Sequence, residues 1–126
     1  MNAATKHILI VDDAATVRLY HRSVLEKAGY QIHEALNGLE ALEKMLVQHF
    51  DLLLVDVNMP KQDGYHFLQS VRGMEEHQPP AVMISSESDA GDQREAYRSG
   101  ANYYLVKPVK PEQLLALCRV LTGQGA

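Results

Sequence analysis

The chain has 126 residues, 46% of them hydrophobic, with a formal net charge of -4 and a pI near 5.8. That length suits one domain with a sizeable core, and the acidic balance argues against a nucleic-acid binder. No apolar run approaches the roughly 20 residues that cross a bilayer, residues 1–6 hold no signal-peptide apolar region, and the single cysteine, Cys118, rules out an intrachain disulfide, so a cytoplasmic protein with no membrane insertion is expected.

Strand-like and helix-like segments alternate along the chain. The first strand run, residues 7–11, ends in Asp12-Asp13. A helical face follows, with Val17, Tyr20, Val24, Leu25 and Ala28 in phase and Gly29 as its stop. The second run, Gln31-Ile32-His33-Glu34-Ala35, alternates polar and apolar residues and suits an edge. Asn37 and Glu40 form a capping-box pattern before a helix buried through Ala41, Leu42, Met45 and Leu46. The third run, residues 52–55, is wholly apolar and exits at Asp56. A short helix over 65–71 follows Asp63-Gly64. The fourth run, 81–84, is apolar and leads into Ser85-Ser86. Residues 90–99 are polar for a helix and are expected to be loosely held. The fifth run, 103–106, leads into Lys107-Pro108. Pro111 then opens a helix whose apolar side is Leu114, Leu115, Cys118 and Leu121, ended by Gly123.

Five strands alternating with five helices predict an α/β fold, a five-stranded parallel sheet with helices on both faces. Runs one, three and four read as central and runs two and five as edges, which matches the known flavodoxin-like order 2-1-3-4-5. In such sheets ligands bind beyond the carboxyl ends of the strands. Asp12, Asp13, Asp56, Ser85 and Lys107 all leave strands at that rim, whereas run two ends in Ala35. Three carboxylates brought together disfavour one another's ionisation unless a cation intervenes. Hard oxygen ligands suit Mg²⁺, a carboxylate can act as a nucleophile toward phosphorus, and a lysine and a serine can hold phosphoryl oxygens. The parts therefore suit phosphoryl transfer.

Four motifs carry a resemblance to a known family. They are Ile8-Leu9-Ile10-Val11-Asp12-Asp13, then Asp56-Val57-Asn58-Met59-Pro60 with Asp63-Gly64, then Ser85, then the stretch from Gly100 through Tyr104 and Lys107 to Pro108. Each is weak alone, and all four in this order are specific. The chain resembles a receiver domain of two-component response regulators over essentially its whole length, closest in pattern to stand-alone chemotaxis-type regulators. The resemblance implies that Asp56 is the phosphoacceptor, charged by a histidine kinase or phosphotransfer protein. It implies that Asp13 binds Mg²⁺ directly, that Asp12 supports it, and that the backbone carbonyl of Asn58 completes the protein ligands. Lys107 would meet a phosphoryl oxygen, across a cis bond to Pro108. Ser85 would move to hydrogen-bond the phosphoryl group and Tyr104 would swing inward behind it. That shift would remodel the face of helix four, strand five and helix five, where Tyr97, Arg98 and Tyr103 are candidate contacts for a downstream protein. Asn58 and Glu87 occupy the two positions that tune phosphoryl lifetime.

The same resemblance implies no enzymatic turnover beyond self-phosphorylation and autodephosphorylation, and no direct nucleic-acid binding. It departs from the usual pattern at Ser86 and Val109, and the last helix lacks the charged pattern of dimerising DNA-binding receivers, so a monomer or weak dimer is expected. Residues 1–126 read as a single receiver domain without an output domain, either a stand-alone protein or a fragment of a larger regulator or hybrid kinase. Two other α/β families place similar residues differently. A phosphohydrolase resembling the haloacid dehalogenases would carry a second aspartate where Asn58 stands. A flavin carrier would need a Ser/Thr/Gly loop where Asp12-Asp13-Ala14 stands. The six histidines show no tight metal-ligand spacing, and Cys118 reads as core.

Overall fold

The computed structural model describes residues 5–57, 59, 63–75, 78–86 and 90–123. Its elements run β1 (His7–Val11), α1 (Ala15–Lys27), β2 (Gln31–Ala35), α2 (Gly38–Val47), β3 (Leu52–Asp56), α3 (Gly64–Arg72), β4 (Ala81–Ser85), α4 (Ala90–Arg98), β5 (Tyr103–Val106) and α5 (Pro111–Thr122). The strands form one parallel sheet in the order β2-β1-β3-β4-β5, as expected. Asp56 and Ser85 are the last residues of β3 and β4 and pair in register with Ile84 and Val106. Both therefore belong to the sheet and not to the loop beyond it, one residue further in than the apolar runs suggest.

The central strands are buried on both faces because helices cover both. Leu9 and Leu53 join Phe67, Leu68, Val71 and Ala96 in one core layer. Ile8, Ile10, Leu52 and Leu54 join Leu25, Leu114 and Cys118 in the other. The edges are wetter: β2 exposes Gln31, and β5 exposes Tyr103 and Val106 while burying Tyr104 and Leu105. Gly29 and Gly123 end α1 and α5 with φ of 97° and 78°, the left-handed region where a side chain is strained. Asn37 Oδ1 accepts the Glu40 amide, and Glu40 Oε1 accepts the amide of Leu36, one residue before the cap. The capping box is thus present, displaced by one position on its return arm.

Two helix faces differ from expectation. On α1 the buried residues are His21 and Leu25, and Tyr20 is half exposed. Val24, Leu25 and Ala28 keep the expected stripe, but His21 takes the inward place expected for Tyr20. On α2 Ala41 is buried, but Leu46 is 75% exposed. Helix α4 is held by Ala96, which is fully buried, and by Tyr65, whose hydroxyl donates to the Asp92 carbonyl at 3.3 Å.

Cys118 is fully buried on α5, and burial pushes its thiol up to about 12. Native protein should therefore leave a thiol-specific chromogenic reagent unreacted at pH 8, with one thiol released on addition of denaturant. Fast reaction of the native protein would show that α5 is not seated as described.

Candidate phosphoryl site at the sheet rim

The carboxyl ends of β1 and β3 lie side by side, since Val11 pairs with Val55. This register brings the predicted acids together: Asp12, Asp13 and Asp56 each offer an oxygen within 4.8 Å of the others. Asp12 and Asp56 are buried, and Asp13 is exposed. Asp12 is fixed by local bonds. Its Oδ1 accepts the Ala14 amide at 2.9 Å, and its backbone carbonyl accepts from Arg18 Nη1 at 2.7 Å. Arg18 is itself held by Glu34 at 2.8 Å, so α1 and the edge strand β2 both brace the acid.

Lys107 arrives from the end of β5, before a cis bond to Pro108. Its Nζ donates to Asp56 Oδ1 at 3.0 Å and stands 3.7 Å from Asp12 Oδ2. The backbone amide of Lys107 donates to the Ser85 carbonyl at 2.7 Å, which ties the lysine to the neighbouring strand. Ser85 is buried at the end of β4, and Tyr104 is buried on β5 in the layer that also holds Val57 and Met59. Asn58 and Glu87 lie outside the described residues.

The charges do not balance. Burial first, and then the neighbouring Asp12, push the Asp56 carboxyl above its ordinary value, although Lys107 opposes them. Burial pulls Lys107 down, but Asp56, Asp12 and Asp13 outweigh it and leave the ammonium above its ordinary value. Asp56 holds its proton more firmly through burial and then through Asp12, and Lys107 through the carboxylates that face it. An all-oxygen cluster with surplus negative charge fits a hard divalent cation such as Mg²⁺. Asp12, Asp13 and Asp56 are the described residues that would hold it, and its charge would relieve the like-charge repulsion now falling on Asp56.

Some groups escape a sequence reading. His21 is buried on α1 with Nδ1 unpartnered, and burial lowers its pKa, with Asp12 and Lys107 acting on it in opposite directions. A cavity of about 430 Å³ lies beside it, between Tyr20 and the 107–109 segment. No spacing rule singles out one histidine on an amphipathic helix. His7 Nδ1 and His33 Nε2 meet at 3.0 Å, but no third metal-ligating side chain joins them among the described residues. Burial, and then His7, lower the His33 pKa. The unfolded chain thus takes up protons below about pH 6.5 that folded His21 and His33 resist. Their share of the stability is complete above that pH and is lost as pH falls through it. Denaturant unfolding should therefore show lower stability at pH 5.5 than at 7.5, and His21→Leu should flatten the difference. An unchanged slope in that variant would clear His21 of the effect.

Comparisons with known proteins give the family. Residues 8–119 match the family described as the response regulator receiver domain. The transcriptional regulatory protein ResD of Bacillus subtilis is 34% identical over 119 residues, covering 94% of this chain and 49% of that protein. SrrA of Staphylococcus aureus, also called a transcriptional regulatory protein, is 32% identical over 117 residues, covering 93% and 48%. The chain thus spans about half the length of these curated relatives. Among solved structures, the chemotaxis protein CheY4 of Vibrio cholerae superposes with a TM-score of 0.89 at 34% identity, covering 94% of this chain and 99% of that one. A CheY-like receiver domain protein of Methanospirillum hungatei superposes with a TM-score of 0.87 at 28% identity, covering 97% and 98%. The strand order, the acidic rim with its lysine and the match over residues 8–119 agree: the chain belongs to the receiver domain family of two-component response regulators.

Proposed function

We propose that the protein is a phosphorylation-dependent signalling switch in which Asp56 accepts a phosphoryl group from a histidine kinase or phosphotransfer protein. The observation that carries this reading is the placing of Asp56: buried, 3.0 Å from Lys107 Nζ, with Asp12 and Asp13 oxygens within 4.8 Å. Asp12, Asp13 and Asp56 would hold a Mg²⁺, with the Asn58 carbonyl as the further ligand that the family resemblance implies, and the ion would supply positive charge to phosphoryl oxygens.

In the reaction an Asp56 carboxylate oxygen attacks phosphorus in line with the bond to the donor. The new O–P bond gives an acyl phosphate, and the P–N bond to the donor imidazole breaks with its electron pair leaving on nitrogen. Lys107 exchanges its bond to Asp56 for one to a phosphoryl oxygen. Ser85, whose strand also anchors the Lys107 amide, turns its hydroxyl to a second oxygen, and Tyr104 fills the space behind it. Hydrolysis by water resets the switch, with Asn58 and Glu87 setting its rate. The protein turns over no external substrate in this scheme. The position two residues after Asp56 is an asparagine, which favours the switch over a phosphohydrolase.

The output reaches a downstream protein partner through α4, β5 and α5. Tyr97 and Tyr103 are nearly half exposed there, and Arg98 is exposed beside them. Among the described residues no helix is long and apolar enough to cross a membrane. The experiment is a binding titration of phosphorylated protein against candidate targets. Replacing Tyr97, Arg98 and Tyr103 together by alanine should weaken binding at least about tenfold, since aromatic and Arg anchors dominate such surfaces. Unchanged binding would move the output face elsewhere.

A further inference from the structure

Helix α2 carries more apolar surface than the core can use. Ala41, Met45, Leu42, Leu46 and Leu39 spread over an arc of roughly 160° at 3.6 residues per turn. Ala41 is buried, and Leu42 and Met45 pack against the core from partly buried positions. Leu39 and Leu46 are 53% and 75% exposed. With Leu42, Glu43 and Met74 they line a groove of about 630 Å³ on the outer side of α2. A second hollow of about 250 Å³ continues it past Met74 toward Val47 and Phe50. Leucines at this spacing present the ridge that an amphipathic helix packs against.

The charge around the groove says which helix. Glu43 is the charged residue lining it, and Glu75, next to Met74, is exposed. Among the described residues no lysine or arginine lines either hollow. The one lysine of α2, Lys44, is turned to the other side, where its Nζ donates to the Glu34 carbonyl. A second copy of this chain suits the groove poorly. Glu43 sits at the middle of the Leu39–Leu46 ridge, so a two-fold pairing would set it against its own image. An anionic membrane surface meets the same objection.

We propose that the outer face of α2 is a second docking surface, which takes an amphipathic helix of a separate partner protein bearing leucine-type anchors flanked by lysine or arginine. It lies apart from the α4–β5–α5 face and does not depend on phosphorylation of Asp56.

The test titrates the full chain with two fluorescent synthetic helical peptides. Both carry leucines at i, i+3 and i+7; one is flanked by lysines and the other by glutamates. The lysine peptide should bind at least about tenfold more tightly, with amide shifts centred on α2 and Met74. Glu43→Lys should reverse that preference, and Leu39→Ser with Leu46→Ser should abolish binding while the thermal midpoint is kept. These positions are exposed, so the fold tolerates the changes. Equal binding of both peptides, no binding, or shifts centred on α1 or α4 would overturn the proposal. So would dimerisation of the free protein that the Leu39/Leu46 double variant removes.

Discussion

Replacing Asp56 by asparagine should make the protein more stable at pH 7, by about 1 kcal/mol, or roughly 4 °C in thermal midpoint for a chain of this size. The sign follows from the rim. Burial and Asp12 raise the Asp56 carboxyl above its ordinary value despite the lysine, so holding it ionised costs stability. A group with a raised folded pKa binds protons more readily in the native state, which destabilises that state at any pH where the carboxyl must ionise. Asparagine keeps the shape and removes the charge, and Lys107 retains Asp12 at 3.7 Å. The same variant should lose most of the stabilisation that millimolar Mg²⁺ gives the native protein, because one of three cation ligands is gone. Thermal scans with and without Mg²⁺ measure both effects. A variant less stable than the native protein, or one still stabilised as strongly by Mg²⁺, would contradict this account of the charges.

Gly64→Ala should destabilise the fold by about 3 kcal/mol and disable the site together. A β-carbon at position 64 would overlap the Asp56 backbone carbonyl and would stand 2.7 Å from Met83 Cε and 3.0 Å from Val57 Cα. The methionine end can move, but the β3 backbone cannot without carrying Asp56 with it. Gly64 also donates its amide to the Val57 carbonyl at 2.9 Å, so α3 starts hard against the strand that bears the acceptor. Its φ is not in the left-handed region; the requirement is for space. Denaturant unfolding measures the loss, and phosphoryl uptake by the surviving folded fraction measures the distortion. A variant of native stability with native uptake would refute the close approach.

The readable parts of this sequence are those in which local pattern and global role coincide. Leu52 to Val55 are apolar because β3 is covered on both faces, so the pattern reveals the strand, its centrality and the significance of its exit at Asp56. The alternation in Gln31 to Ala35 likewise marks the edge. Legibility fails where a residue's neighbour is distant in sequence. Leu46 fits an apolar helical stripe, but the core ends before it reaches that side of α2. Tyr20 and His21 exchange expected places because the packing of α1 against the sheet and α5 sets which face turns inward. Arg18 as a brace for Asp12, and Gly64 as the floor beneath Asp56, depend on contacts that no spacing along the chain encodes. Single residues at strand exits, by contrast, needed only the sheet order to be placed together.

The proposed switch stands or falls on phosphoryl uptake by Asp56. Its most direct test is peptide-level mass mapping of the protein after incubation with Mg²⁺ and acetyl phosphate. The expected result is a single phosphoryl group on the peptide containing Asp56, absent when Mg²⁺ is chelated beforehand and absent in Asp56→Asn. A phosphoryl group on any other residue, or an adduct that persists in Asp56→Asn, would contradict it.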